Sequence, residues 1–74
     1  MAHGNPWTQV DVFLRHVTDT SYGVWDGKSR TVTGREKWIW LGKTQVRGID
    51  DGNVTDLQSI EVPEWLALKE GLIT

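Results

Sequence analysis

The sequence predicts a mainly β domain, either a small bent antiparallel sheet or an SH3-like or OB-like barrel, with four to five strands and a short C-terminal helix. Three observations carry that expectation. Apolar and polar residues alternate over residues 8–18, the aromatic stretch Trp38-Ile-Trp40-Leu41 alternates in the same way, and turn residues at 19–20, 26–27 and 50–53 punctuate the chain. A chain of 74 residues leaves room for one small core, so a single domain over residues 7–74 is expected, preceded by a flexible arm over residues 1–6. Gly4, Asn5 and Pro6 break regular structure there, and His3 is expected to be solvated.

The first strand is expected from Thr8 to Thr18, with Val10, Val12, Leu14 and His16 on the inward face and Asp11, Phe13, Arg15 and Val17 on the other. Asp19-Thr20 turns the chain, and Ser21–Trp25 returns as the second strand of a hairpin, with Gly23 marking a bulge or a close approach. Asp26-Gly27 opens a long, mobile basic tip that runs to Gly34. A third strand is expected from Arg35 to Leu41, paired with the second, and after Gly42 only a single 3₁₀-like turn or a corner fits.

Arg47-Gly48-Ile49 is expected to begin a short further strand, residues 50–53 to turn, and residues 57–62 to return as a strand. Pro63 then starts a helix of about two turns, with Glu61 and Glu64 at its electropositive end and Gly71 as its stop. The spacing of Trp65, Leu68 and Leu72 places all three on one face, toward the core.

Charge is unevenly spread. The net charge is −2, yet residues 28–47 hold six bases against Glu36 alone, a balance of +5, while residues 48–74 hold six acids against Lys69, a balance of −5. The overall sign argues against a general polyanion binder. Five tryptophans are a high load for this length, and they fit a small core together with an interaction surface. With no cysteine, thiol catalysis, disulfides and thiolate metal sites are excluded. The polar start and the absence of a long apolar run predict a cytoplasmic protein without a membrane partner.

Several motifs fail on spacing. Gly42-Lys43-Thr44 copies the end of a phosphate-binding P-loop, but the glycine required five positions before Gly42 is replaced by Lys37. Asp50, Asp51, Asn53 and Asp56 carry oxygen ligands for a hard cation but lack the EF-hand spacing and its terminal glutamate, so a solvated acidic loop is expected. Asn53-Val-Thr55 matches the glycosylation triplet, which means little without a secretion signal. His16, with Ser21, Asp19 and Asp26 nearby in sequence, forms no legible set of nucleophile, base and orienting group, so no enzymatic activity and no cofactor are expected.

What remains is a mixture of cations and rings: Lys28, Arg30, Arg35, Lys37 and Lys43 beside Trp25, Trp38 and Trp40. Small barrels bind single strands with this mixture, cations on phosphates and rings on bases. Protein interfaces use it too, because Trp and Arg dominate hot spots. Of the two central indoles, Trp40 is expected in the core at the corner and Trp38 beside the loop as an exposed ring.

The segment Trp38-Ile-Trp40-Leu41-Gly42-Lys43-Thr44-Gln45-Val46 and the tail from Glu61-Val-Pro63-Glu-Trp65-Leu66-Ala67 to Gly71-Leu72-Ile73 resemble small uncharacterised proteins of bacteriophages and mobile elements. Those proteins carry a Trp-aliphatic-Pro-Lys-Ser-Gln segment and a Val-Pro-x-Trp-Leu-Ala tail. The likeness covers about the last half of the chain and the first hairpin. The chain departs from it at Gly42, at Thr44 and in a longer basic insert at 27–36. The resemblance implies a genomic context rather than a chemistry.

The function expected first is therefore a phage-encoded, non-enzymatic module that binds a host protein stoichiometrically, for example as an anti-defence or anti-CRISPR inhibitor. A single-stranded nucleic-acid binder and a nucleotide-sequestering protein are the alternatives. The sequence does not set the oligomeric state, and a homodimer is compatible with it.

Overall fold

The computed structural model describes residues 6–73. Four antiparallel strands, β1 (Trp7–Val17), β2 (Ser21–Trp25), β3 (Ile39–Gly42) and β4 (Leu57–Pro63), form one curled half-barrel sheet in the order β3-β2-β1-β4. A 3₁₀ turn at Lys43–Gln45 follows β3, and one helix, α1 (Glu64–Lys69), follows β4. The sheet is bent but does not close, since β3 and β4 lie at its opposite edges. Among the described residues no helix is long and apolar enough to cross a membrane.

The concave face is the core. Val10, Val12 and Leu14 of β1, Val24 of β2, Ile39 and Leu41 of β3, and Ile60 and Val62 of β4 meet there, as strand alternation requires. Leu66 and Ala67 of α1 close it, with Tyr22, Val46, Ile49, Leu72 and Ile73 packed at its margins. Most of these side chains are aliphatic, and Val12, Leu14, Val24, Leu41, Ile60 and Val62 are fully buried.

Register decides what reaches the other face. Leu14 lies opposite Val24, but His16 lies opposite Gly23, so Arg15 is an extra residue bulged out of the β1–β2 ladder. The bulge flips the parity of the strand. His16, expected inward, is exposed, and Val17 takes the core-side place opposite Tyr22.

The helix also differs from expectation. Trp65 and Leu68 are exposed while Leu66 and Ala67 are buried. The spacing of Trp65, Leu68 and Leu72 needs a helix that runs to residue 72, yet α1 ends at Lys69. Gly71 takes φ +74°, its amide donates to the Leu68 carbonyl, and the Leu72 amide donates to the Ala67 carbonyl at 2.8 Å. This is a Schellman stop, which lifts Leu72 out of the helical phase and turns it onto the core.

Two boundaries move. The third strand begins at Ile39 rather than Arg35, the residues before it forming a narrow ribbon through an Arg30–Glu36 bridge. Arg47 makes one isolated bridge to Glu61 rather than a fifth strand. The N-terminal arm lies, up to residue 5, outside the described residues, and the Pro6 carbonyl accepts the Glu64 amide at 2.8 Å. Gly42, where the resembled pattern has proline, sits at φ −63°, an angle proline itself adopts.

Candidate functional site

The convex face carries a second, aromatic assembly. Phe13 and Trp25 face each other across β1 and β2 with ring centroids 5.7 Å apart. The bulged Arg15 lays its guanidinium over both rings, at 5.0 Å and 5.3 Å, and Arg30 covers Trp25 at 5.2 Å. Trp25 is thereby buried, and its indole N–H donates to the Ser29 carbonyl at 2.7 Å. Trp25 thus forms a buried floor beneath the two guanidiniums, with little of its own surface exposed.

Arg15 ties this floor to the exposed rings. Its Nε and one Nη donate to the two carboxylate oxygens of Glu36 at 2.9 and 3.1 Å, a two-pronged pairing that fixes orientation as well as distance. The same carboxylate accepts the Trp38 indole N–H at 3.0 Å. Glu36, the lone acid of the basic segment, therefore sets the direction of Trp38.

Trp38 is 40 % exposed and Trp40 50 % exposed, so the expectation of a core Trp40 fails. The parity of β3 explains it: Ile39 and Leu41 pair with Val24 and Tyr22 on the concave side, which turns Trp40 outward over Gly23. A side chain on Gly23 would lie 3.1 Å from the Trp40 ring, so glycine is what lets the indole rest on the sheet backbone. His16, delivered by the bulge, completes the cluster. Its ring runs nearly parallel to Trp38 at 6.4 Å and edge-on to Trp40 at 5.8 Å, and the two indoles meet edge-on at 6.2 Å.

The basic loop, expected as a long mobile tip, is hydrogen-bonded within itself. Asp26 accepts the amides of Lys28 and Ser29 and the Ser29 hydroxyl, Lys37 donates its amide to the Ser29 carbonyl, and Thr31 and Arg35 pair through the backbone. Arg30 donates from its guanidinium to the Gly34 carbonyl, while Lys28, Arg35 and Lys37 have exposed side chains, that of Lys37 in a cleft beside Trp38. Lys43 does not join them. Its ammonium sits 5.4 Å over the ring of Tyr22, which packs against the core at the opposite face of the sheet. Arg47 stands over Trp7, with 3.7 Å between guanidinium carbon and ring centroid.

A cleft of about 210 Å³ lies beside Trp38, lined by Ser29, Lys37, Ile39, Lys69 and Glu70. Among the described residues no group of three metal-ligating side chains comes together, and the acidic loop at 50–53 is occupied by its own turn, with Asp50 and Asn53 bonded to Gln58.

Two carboxylates are held below their ordinary range. For Glu36 the hydrogen bond from Arg15 is the main cause, followed by that from Trp38. For Asp26 burial pushes upward, but the bonds from Ser29 and Lys28 and the charge of Lys28 outweigh it. Both groups ionise more readily folded than unfolded, so their contribution is present above the unfolded carboxylate range near about pH 4–5 and is lost as pH falls through the lower folded values. Acid titration is expected to release Trp38 before the core melts, read as a red shift of tryptophan emission ahead of loss of the far-ultraviolet signal. Glu36→Gln, with no carboxylate to protonate, is expected to lose that early step.

His16, Arg15, Glu36, Phe13 and Gly23 were not among the site residues expected from sequence. The lone acid amid six bases was the available signal for Glu36; the bulge that places Arg15 and His16 together had none. Comparison of the chain with protein-family models, curated proteins and solved structures finds no match.

Proposed function

We propose that this chain is a non-enzymatic binding module that docks on a partner protein through the convex face of its sheet, with Trp38 and Trp40 as anchors and Lys28, Arg30, Arg35 and Lys37 as a basic rim. The observation that carries the reading is the pair of neighbouring, half-exposed indoles held in fixed orientations by Gly23, His16 and the Arg15–Glu36 pair. Large exposed rings with pre-set geometry fit hot spots, where little conformational freedom is left to lose on binding. A basic rim selects an acidic partner surface and speeds encounter. The resemblance of the tail supports a bacteriophage or mobile-element origin, with a host protein as partner in the host cytoplasm and inhibition of a defence effector such as a CRISPR enzyme as the biological role.

Affinity capture from the native host, with and without nuclease and followed by mass spectrometry, tests this. A protein recovered equally under both conditions is expected, and Lys37→Glu is expected to reduce its recovery at least tenfold without unfolding the module. Recovery unchanged in Lys37→Glu removes the basic rim from the interface.

The half-exposed indoles beside Lys37 also favour a second reading, single-stranded nucleic-acid binding. It predicts quenching of tryptophan emission by an oligonucleotide, weakening steeply with salt. Nucleotide sequestration is the weakest of the three, because the cleft of about 210 Å³ is smaller than the roughly 300–1,000 Å³ of ligand pockets.

A further inference from the structure

Resting on the binding-module reading, we propose that the free edge of β3 is a strand-addition site for an extended, acidic segment of the partner protein. The two edges of the sheet are treated differently. On the outer side of β4, Arg47 and Glu61 exchange both amide–carbonyl bonds at 2.9 Å, whereas no described residue pairs with the outer side of β3.

The phase of the ladder says which groups are free. Lys43 donates its amide to the Thr20 carbonyl at 2.9 Å, which puts Tyr22–Leu41 and Val24–Ile39 in the hydrogen-bonded set of the antiparallel pair. Trp40 then turns its amide and carbonyl, and Gly42 its amide, away from β2 and toward solvent, while the Gly42 carbonyl opens the 3₁₀ turn. An edge with such a row is a template for another strand, and Ile39–Gly42 holds no proline, bulge or inward charge to block it, its four residues limiting the addition to a short segment.

Charge selects the occupant. Lys37 and Lys43 bracket the edge, and the cleft beside its first residue is lined by Lys37 and Lys69, with Glu70 offsetting one of the two. An acidic side chain of the incoming strand fits between those lysines. A second copy fits badly, because antiparallel pairing about Trp40 sets Lys37 opposite Lys43 of the other copy. Nucleic acid has no amide–carbonyl row to complete the ladder. Strand addition takes affinity from main-chain bonds and specificity from alternate side chains, here meeting Trp38 and Trp40 on the convex side.

The test uses the full chain, ¹⁵N-labelled, and two capped six-residue peptides, Glu-Val-Thr-Val-Thr-Glu and its counterpart with lysine at both ends. The acidic peptide is expected to shift the Trp40 and Gly42 amides and to bind at least tenfold more tightly than the lysine peptide. Gly42→Pro suits the existing φ of −63°, and the new Cβ meets only Gln45 at 3.8 Å. It deletes one outward donor and is expected to keep the folded spectrum while losing at least tenfold in peptide affinity.

Absence of edge shifts at millimolar acidic peptide, or wild-type affinity in Gly42→Pro, overturns the proposal. Concentration-dependent shifts of the edge amides without peptide overturn it in favour of a second copy, and the same shifts with an oligonucleotide overturn it in favour of nucleic acid. The convex-face reading is separable. If Gly42→Pro still captures the host protein and Trp40→Ala does not, the edge is wrong and the face stands; if both capture it, both are wrong.

Discussion

Leu14→Ala is expected to remove a large share of the protein's folding stability. Leu14 sits on β1, fully buried and opposite Val24, one residue past the point where the ladder to β4 ends and the ladder to β2 takes over. Truncating a buried leucine costs about 2–5 kcal/mol, transfer and cavity together. A domain of 74 residues has roughly 4–11 kcal/mol in total. The neighbours are hard to collapse into the void, because Val24 is fixed by ladders to β1 and β3, and Val12 and Ile60 by the ladder between β1 and β4. In urea the midpoint should fall by about 2 M or more, taking a slope near about 1 kcal/mol per M for so small a domain. Leu68→Ala, which removes the same atoms from a half-exposed position on α1, should shift it by less than a quarter of that. Equal shifts for the two would mean that the core is not where the concave face places it.

The same contrast shows what periodicity reveals and what it does not. Alternation along Val10, Val12 and Leu14 and along Ile60 and Val62 predicts the concave core, because a strand's side-chain period is two whatever its neighbours do. Spacing misled at Trp65 and Leu68, because a helical stripe is meaningful only over the length of the helix, and the Gly71 stop ends it after six residues. Parity misled at His16, because one bulged residue at Arg15 reverses every position after it.

At the site, the ring and cation types were legible but their arrangement was not. From sequence, Trp40 is expected in the core and Trp25 is not set apart from Trp38, yet Trp25 is buried under Arg15 and Arg30 while Trp38 and Trp40 are half-exposed. That division depends on Arg15 and Glu36, separated by 21 positions and joined only when the ribbon before β3 folds back beside β1. Lys43 shows the converse: near Trp40 in sequence, it is carried by the 3₁₀ turn to Tyr22 and the other face. Nearness along the chain is a weak guide once a corner intervenes.

Trp40→Ala is the substitution expected to affect binding most. Its ring lies over Gly23, touches His16 and Trp38 edge-on, and stands where the free edge and the convex face meet, so a partner using either surface covers it. Central, pre-positioned tryptophans at interfaces are worth about 2–4 kcal/mol on truncation, which is roughly 30- to 1,000-fold in affinity. The folded state should survive, because half of the ring is already in water and the concave core is untouched. Titration calorimetry against the captured partner, beside a urea melt of the same variant, reads the two effects separately. Trp65→Ala is the control: it removes an equally exposed indole from α1, away from the cluster, and should leave affinity within about threefold. If Trp65→Ala weakens binding as much as Trp40→Ala, exposure of aromatic surface alone drives the association. The fixed geometry built by Gly23, His16 and the Arg15–Glu36 pair then contributes nothing to it.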